Sequence, residues 1–190
     1  IVLERSNHVS YANCGLPYYV GGVIEQESSL LLQTPQSLHS RFRLDVRVAN
    51  EVISINSTSK SLQVKDLAKN TAYELTYDKL VLSPGAIPIV PSLPGVERAM
   101  TLRTVEYVEA IVSKVSAKPS TAVVIGGGFI GVEIAENLIH KGIKTSIIEA
   151  SDQVLAPLDP EMAMLVAKEM RSKGVDLYLG VSASEIDSAS

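Results

Sequence analysis

The sequence of 190 residues lacks several features that would point to a particular environment or partner. It contains a single cysteine, Cys14, so no intramolecular disulfide can form, and we expect a reducing compartment, the cytoplasm, or a reactive thiol. No apolar run approaches the roughly 20 residues that span a bilayer, so we expect no membrane partner. The net charge of −4 includes no basic block, which argues against nucleic acid. We also predict no metal site.

The most informative pattern in the sequence runs from residue 121 to residue 150. Apolar residues make up 46% of the chain, enough for the core of one or two α/β units. An apolar run predicts a strand, and Gly126, Gly128 and Gly131 follow it directly. The order of strand, glycine turn, helix, strand and acid is typical of a dinucleotide site. The predicted elements are a strand over 122–125, a helix over 132–141 ended by Gly142, and a second strand over 145–148 that leads to Glu149.

Each glycine of this turn has a separate role in such a site. Gly126 permits the tight turn, Gly128 lets the backbone approach a pyrophosphate, and Gly131 lets the helix pack close to the sheet. The free N–H groups at the start of the helix would face the phosphates. The alternative is a glycine-rich turn that binds no ligand.

Glu149 predicts which nucleotide is bound. A carboxylate at the end of the second strand can accept hydrogen bonds from both hydroxyls of an adenosine ribose. A 2′-phosphate at that place would meet a negative charge. We therefore expect NADH in preference to NADPH.

The first four residues form an apolar run that ends in an acid, Glu4, without an initial methionine. The run is similar to the one that ends at Glu149. We interpret it as the second strand of another dinucleotide unit whose first strand and glycine loop lie outside this sequence, and we expect a piece of a longer protein. The alternative is a terminal edge strand.

Cys14 lies in a segment that is rich in glycine and tyrosine, residues 10–22. Ser10 or Asn13 could cap a short helix that starts near Cys14, and a thiol at a helix N-terminus is stabilised as a nucleophilic thiolate. A buried and inert structural cysteine is the other interpretation. The residues by themselves leave both open.

The segment Ser-Tyr-Ala-Asn-Cys-Gly-Leu-Pro-Tyr-Tyr-Val-Gly-Gly resembles the active-site segment of the FAD-dependent pyridine nucleotide–disulfide oxidoreductases. It is most similar to the single-cysteine branch that contains coenzyme A-disulfide reductases and NADH-dependent persulfide reductases. The two-cysteine branch would carry a second cysteine at position 19, which is Tyr19 here. The resemblance extends over essentially the whole chain.

This resemblance implies an α/β fold with two Rossmann-like dinucleotide-binding units. The first unit would be incomplete and carry an antiparallel β-meander, and the second would be truncated at its C-terminal end. We predict a partial FAD-binding domain over residues 1–104 and a partial NAD(H)-binding domain over 105–190. The full-length protein is expected to be a homodimer.

The resemblance also assigns roles to individual residues. Cys14 would be the nucleophile, and Asn13 and Ser10 would line the disulfide and flavin site. Either Arg41 or Arg43 would hold a phosphate of coenzyme A, although some relatives place a lysine at Phe42 and a solvated basic face is the alternative. Phe129 would cover the flavin until nicotinamide displaces it, unless it only packs on its helix. The expected FAD residues are Glu4, Arg5, Val52, Ser83, Gly85 and Arg103, and the expected NADH residues are Gly126, Gly128, Phe129, Ile130, Gly131, Glu133 and Glu149.

The remaining patterns predict the elements between these residues. Thr34 and Pro35 are typical of a helix start. Alternation of polar and apolar residues favours β-structure from 44 to 82, with the last strand over 79–82. The other predictions are a proline-rich linker over 87–95, helices over 105–116 and 160–173 with methionines in the core, and a strand over 175–179.

The expected reaction of the parent protein is the reduction of small disulfides or persulfides by NADH through FAD and Cys14. With no second cysteine, the oxidised form of Cys14 must be a mixed disulfide, a persulfide or a sulfenic acid. An NADH oxidase or peroxidase that cycles through sulfenic acid is the alternative. A chain of this length that only binds NADH, without chemistry, is a further one.

Overall fold

The computed structural model describes residues 1–187, which fold into short strands and helices in the order expected of an α/β protein. The elements are β1 (Val2–Leu3), β2 (Ser10–Tyr11), α1 (Leu16–Val20), β3 (Leu31–Gln33), α2 (Pro35–Phe42), β4 (Val46–Arg47), β5 (Asn50–Asn56), β6 (Ser61–Asp66), β7 (Thr71–Thr76), α3 (Val105–Ser116), β8 (Thr121–Ile125), α4 (Phe129–His140), β9 (Lys144–Glu149), α5 (Pro160–Ser172) and β10 (Asp176–Leu179). Short 3-10 turns cover Asn13–Gly15, Glu27–Ser29 and Val96–Arg98.

The chain forms two compact units, and each is built from two separate stretches of the sequence. Unit 1 contains Ile1–Ala12 and Leu31–Ala86. Unit 2 contains Asn13–Leu30 together with the chain from Ile87 onward. The segment with Cys14 therefore packs with the C-terminal half of the chain. The assignment of FAD to residues 1–104 and of NADH to 105–190 stays a prediction.

Unit 1 combines a parallel strand pair with an antiparallel meander. β1 pairs with β4 in parallel, β2 pairs with β3 in antiparallel fashion, and β5, β6 and β7 form a three-stranded sheet. Leu62 and Val64 of β6 are buried at the centre of this meander. The presence of an antiparallel meander was predicted. Tyr73 of β7 ties it to β4, because its hydroxyl donates to Asn50 Oδ1 at 2.7 Å and accepts from Arg47 Nη1 at 3.2 Å.

The start of α2 confirms a prediction made from two residues. Thr34 Oγ1 accepts a hydrogen bond from the Ser37 N–H at 3.1 Å, and the Thr34 N–H donates to Ser37 Oγ at 2.9 Å. This reciprocal capping box satisfies two donors that a helix start would otherwise leave unpaired. Pro35 occupies the first helical position, where the missing N–H costs nothing.

Unit 2 is built on a parallel sheet with the strand order β10-β9-β8. Register places Val124, Ile147 and Leu177 side by side on one face of this sheet. The helices α4 and α5 cover that face. The buried residues of the core that they form with the sheet are Ala135, Ile147, Val154, Leu155, Ala167, Met170 and Val175. The α/β fold expected from the sequence is thus formed.

Two sequence-based expectations about elements were wrong, and the short strands β2 and β3 were not predicted. No strand forms over residues 79–82 among the residues described, where Val81 and Leu82 are exposed and have no strand to pair with. The strand β3 was missed, since three residues are too few to show an alternation. Met162 of α5 is exposed rather than in the core, because the α5 face that meets the sheet carries Ala163, Ala167 and Met170.

Within residues 1–187, no helix combines the length and apolar character needed to cross a membrane.

Candidate functional site

The glycine turn between β8 and α4 is shaped by two kinds of constraint. Gly126 has a φ of +107°, a conformation that favours glycine. A Cβ on Gly131 would collide with the carbonyl oxygen of Gly126, so the first turn of α4 can lie against the end of β8 only without one. Gly126 is therefore required by the backbone conformation of the turn, and Gly131 by the packing of the helix on the strand.

Gly128 is different, because nothing in the described protein requires a glycine there. Its φ of −73° and ψ of −178° are open to any residue. A Cβ built on it would meet no heavy atom within 4 Å. The open side of the turn therefore lies at Gly128, where a group from outside the chain can approach the backbone.

The N-terminus of α4 faces the same opening. The helix begins at Phe129, three residues before the predicted start, and its N-cap, Gly128, provides no side-chain hydrogen bond. Phe129 and Ile130 are 58% and 55% exposed, so the ring of Phe129 is not used for packing the helix. Uncapped N–H groups and the helix dipole together favour an anion at such an end. Glu133 lies one turn further along α4 and is partly exposed.

Glu149 is held against the glycine turn by backbone hydrogen bonds. Its Oε2 accepts from the Gly127 N–H at 2.6 Å, and its Oε1 accepts from the Ser151 N–H at 2.7 Å. Burial by itself would raise the pKa of this carboxyl, but the bonds from Ser151 and Gly127 outweigh burial and hold the pKa below its ordinary value. Glu149 is therefore an ionised acceptor beside the opening at neutral pH.

The loop after β9 closes over the turn in a way that the sequence analysis missed. The Leu155 N–H donates to the Gly127 carbonyl at 2.8 Å, and Val154 is fully buried. A Cβ on Gly127 would lie 3.1 Å from Val154 Cγ1. The sequence predicted a loop over 151–160 that borders the NADH adenosine, and the adjacent apolar pair Val154 and Leu155 was the signal that this loop also packs on the turn.

Cys14 is exposed, which removes the interpretation of a buried structural cysteine. It lies in the 3-10 turn Asn13–Gly15 just before α1. The N-cap of α1 is Gly15 and no side chain caps it, so the expected capping by Ser10 or Asn13 is not formed. Asn13 Oδ1 instead accepts from Arg103 Nη1 at 3.4 Å.

The helix that follows Cys14 is anchored in unit 2. Leu16 and Val20 of α1 are buried, and α1 packs against both α3 and α4. The contact with α4 is close, because a Cβ on Gly21 would collide with the side chain of the buried Asn137. The backbone beside Cys14 is therefore fixed to the helix that begins at the glycine turn.

The remaining predicted residues lie in unit 1. Glu4 follows β1 directly, and its Oε1 accepts from the Ser6 N–H at 2.7 Å, the same local bond that Glu149 makes with Ser151. Arg5 forms an exposed ion pair with Glu51 at 3.7 Å. The others are Ser10 in β2, Val52 in β5 beside an irregularity of the strand, Arg41 with its guanidinium 5.1 Å from the ring centre of Phe42, and Ser83 and Gly85 in an exposed segment without regular structure.

The structure thus brings Gly126, Gly128, Gly131 and Glu149 together around one opening, and it joins Arg103 to Asn13 next to Cys14. In residues 1–187 no group of three or more histidine, cysteine, aspartate or glutamate side chains is arranged to hold a metal ion.

Comparison with known proteins connects these features to one family. The family model described as pyridine nucleotide-disulphide oxidoreductase matches residues 1–190. A coenzyme A disulfide reductase of Staphylococcus aureus is 34% identical over 188 residues, 98% of this chain and 42% of that protein. An NADH oxidase of Enterococcus faecalis is 33% identical over 181 residues, 94% of this chain and 40% of that protein.

Two solved structures have nearly the same fold. The reduced CoADR-RHD of Bacillus anthracis has a TM-score of 0.95 and 45% identity over 98% of this chain and 34% of its own. The NAD-dependent persulfide reductase from A. fulgidus has a TM-score of 0.94 and 34% identity over 99% of this chain and 36% of its own. These likenesses confirm the expected FAD/NAD(P)-binding fold. The chain spans about two fifths of the length of the curated relatives that it matches.

Proposed function

Because the chain belongs to the pyridine nucleotide-disulphide oxidoreductase family, we propose that the parent protein reduces small disulfides or persulfides with NADH through FAD and Cys14. The observation that carries this proposal is the exposure of the only cysteine on the unit that holds the glycine turn. A coenzyme A disulfide reductase and a persulfide reductase among the similar proteins support the substrate class.

The described residues fit NADH at the turn between β8 and α4. Gly128 leaves room for a pyrophosphate, the α4 N-terminus offers N–H groups, and Glu149 offers an ionised carboxylate to the adenosine ribose. The negative charge of Glu149 opposes a 2′-phosphate, so NADH is preferred over NADPH. Phe129 and Glu133 would face the nicotinamide end.

Unit 1 fits part of an FAD site. Glu4 is placed at the end of β1 as Glu149 is at the end of β9, with the same bond to the backbone two residues on. Arg5, the backbone at Val52, and the segment with Ser83 and Gly85 would complete this chain's contribution. When bound, FAD would supply the two-electron relay between NADH and sulfur.

The role of Cys14 follows from thiol–disulfide exchange. Its thiolate attacks one sulfur of the substrate disulfide and releases the other half as a thiolate, which leaves a mixed disulfide on Cys14. The released thiolate takes up one proton from water and becomes a thiol. Two electrons and one proton from NADH then free the second thiol and restore the Cys14 thiolate. The overall balance is one disulfide, one NADH and one proton converted to two thiols and NAD⁺. Asn13 and Ser10 would line this sulfur.

Coenzyme A disulfide is the substrate that we would test first. Arg41 on α2 is exposed and could hold one of the phosphates of coenzyme A. We further propose a homodimer for the full-length protein and a cytoplasmic location, where a single cysteine is not drawn into structural disulfides.

The experiment measures NADH oxidation by the full-length protein with coenzyme A disulfide, a small persulfide, peroxide and oxygen as separate oxidants. We expect turnover with the disulfide or the persulfide, and none in the Cys14→Ser variant. The similarity to an NADH oxidase makes oxygen or peroxide the second candidate. Turnover with oxygen alone would refute the reductase. A colourless protein without flavin absorbance would leave only NADH binding for this chain.

A further inference from the structure

A hydrogen bond from a distant part of the chain reaches Asn13, the residue next to Cys14. Arg103 Nη1 donates to Asn13 Oδ1 at 3.4 Å across 90 residues of sequence. Asn13 is exposed, and its side chain does not cap α1 as the sequence predicted. Its side chain is therefore oriented by Arg103 rather than by the helix that follows.

The packing of unit 2 fixes where Arg103 can be. Arg103 lies two residues before α3, and Val105 and Val108 of that helix are fully buried. The helix α3 packs against α1, which begins two residues after Cys14. Both ends of the Arg103–Asn13 bond are thus attached to helices that are packed together.

This arrangement puts a permanent positive charge near the sulfur. Consecutive Cα atoms are about 3.8 Å apart and each of the two side chains adds about 3 Å, so a guanidinium bonded to Asn13 lies within about 13 Å of Cys14 Sγ. That distance is comparable with the Debye length of about 10 Å at 0.1 M salt, so the charge acts on an anion at the sulfur and is weakened by added salt. Arginine stays protonated at every pH of interest.

We propose that Arg103 is a positioning residue of the sulfur site: it orients the Asn13 amide and favours anionic reagents at Cys14. The inference rests on the proposed function, in which Cys14 attacks a substrate disulfide. A positive charge near the sulfur favours anionic disulfides over neutral ones, so it selects phosphorylated or carboxylated thiol compounds as the substrate class.

The test uses the fact that Cys14 is the only cysteine of the chain. Its thiolate displaces iodide from iodoacetate, which is an anion, and from iodoacetamide, which is neutral and of similar size. The ratio of the two rate constants reports the electrostatic field at the sulfur, while a general change in the exposure or mobility of Cys14 changes both rates together. Mass spectrometry of the peptide that carries Cys14, after alkylation of the full-length protein, measures both rates without NADH or turnover.

For the Arg103→Gln variant we expect the iodoacetate-to-iodoacetamide ratio to fall about 1.5-fold to twofold at low salt, as for one charge at roughly 10–13 Å in water. Arg103→Lys should keep most of the ratio, because it keeps the charge. The matched control is Arg171→Gln on α5, which removes the same charge elsewhere and should leave the ratio unchanged.

An unchanged ratio in Arg103→Gln, with both rates lowered equally, would overturn the inference and leave Arg103 a structural role. If that variant does not fold, the wild-type chain decides: its ratio must fall as sodium chloride rises to 1 M, and a ratio independent of salt overturns the inference. Failure of the proposed reductase is a separate result, since it would appear as absent NADH turnover with the alkylation ratio intact.

Discussion

Replacing Gly128 by alanine should separate nucleotide binding from folding at the glycine turn. The added Cβ meets no heavy atom of the protein within 4 Å, and the backbone angles suit alanine. We therefore expect the free energy of unfolding to change by less than about 0.5 kcal/mol, or to rise by up to about 1 kcal/mol through the lower entropy of the unfolded chain.

NADH binding should respond much more strongly. If the pyrophosphate contacts the backbone of Gly128, the new methyl group occupies that contact, and one excess methyl group in a packed contact costs about 1–3 kcal/mol. This corresponds to a Kd about 5-fold to 150-fold higher. Calorimetric titration with NADH measures the change, and thermal unfolding without NADH measures stability.

Gly131→Ala provides the contrasting variant. Its Cβ would collide with the Gly126 carbonyl oxygen, so both stability and NADH binding should fall, with a loss of about 1–3 kcal/mol in the free energy of unfolding. The reasoning fails if Gly128→Ala binds NADH as tightly as the wild type. It fails equally if Gly128→Ala is as unstable as Gly131→Ala.

Three further predictions concern Glu149 and α2. Glu149→Arg should shift the ratio of NADH to NADPH affinity toward NADPH, measured by paired titrations, and an unchanged ratio would contradict the ribose assignment. The lowered pKa of Glu149 means that its ionised form stabilises the fold above its unfolded pKa and that this stabilisation is lost as the pH falls through the folded pKa. The difference in Tm between wild type and Glu149→Gln should accordingly be constant from pH 6 to 7 and shrink below about pH 4, the range where carboxyl groups titrate; a difference that grows toward acid would refute this. Thr34→Ala removes one half of the capping box and should cost about 1 kcal/mol in urea unfolding, whereas Thr34→Ser should cost less.

The sequence predicted best those helix boundaries that are marked by a capping residue, a proline or a glycine at the boundary itself. The helix α2 begins where Thr34 and Pro35 place it, and α4 and α5 end where Gly142 and Gly174 adopt positive φ. These signals act within a few residues of the backbone bonds that they satisfy, so no knowledge of the remote chain is needed.

The features that the sequence did not predict depend on contacts between remote segments. Residues 79–82 have the composition of a strand, but a strand exists only with a partner, and none of the described strands pairs with them. The burial of Val154 depends on the glycine turn closing beneath it. The bond from Arg103 to Asn13 crosses 90 residues, and neither residue type indicates the other.

The bonds of Glu149 explain how one carboxylate can serve both the fold and a ligand. Its two oxygens accept the backbone N–H groups of Ser151 and Gly127, and the Ser151 side chain and the Ala150 backbone also hydrogen-bond to the carboxylate. An ionised carboxylate has about four lone-pair positions, so a ribose hydroxyl can be accepted beside the two short bonds to Ser151 and Gly127. NADH can then bind without breaking the bonds that hold the turn. Glutamine keeps a single carbonyl oxygen, and it must give up either a backbone bond or a ribose bond. Glu149→Gln should therefore weaken NADH binding and stability together, whereas Gly128→Ala should weaken binding alone.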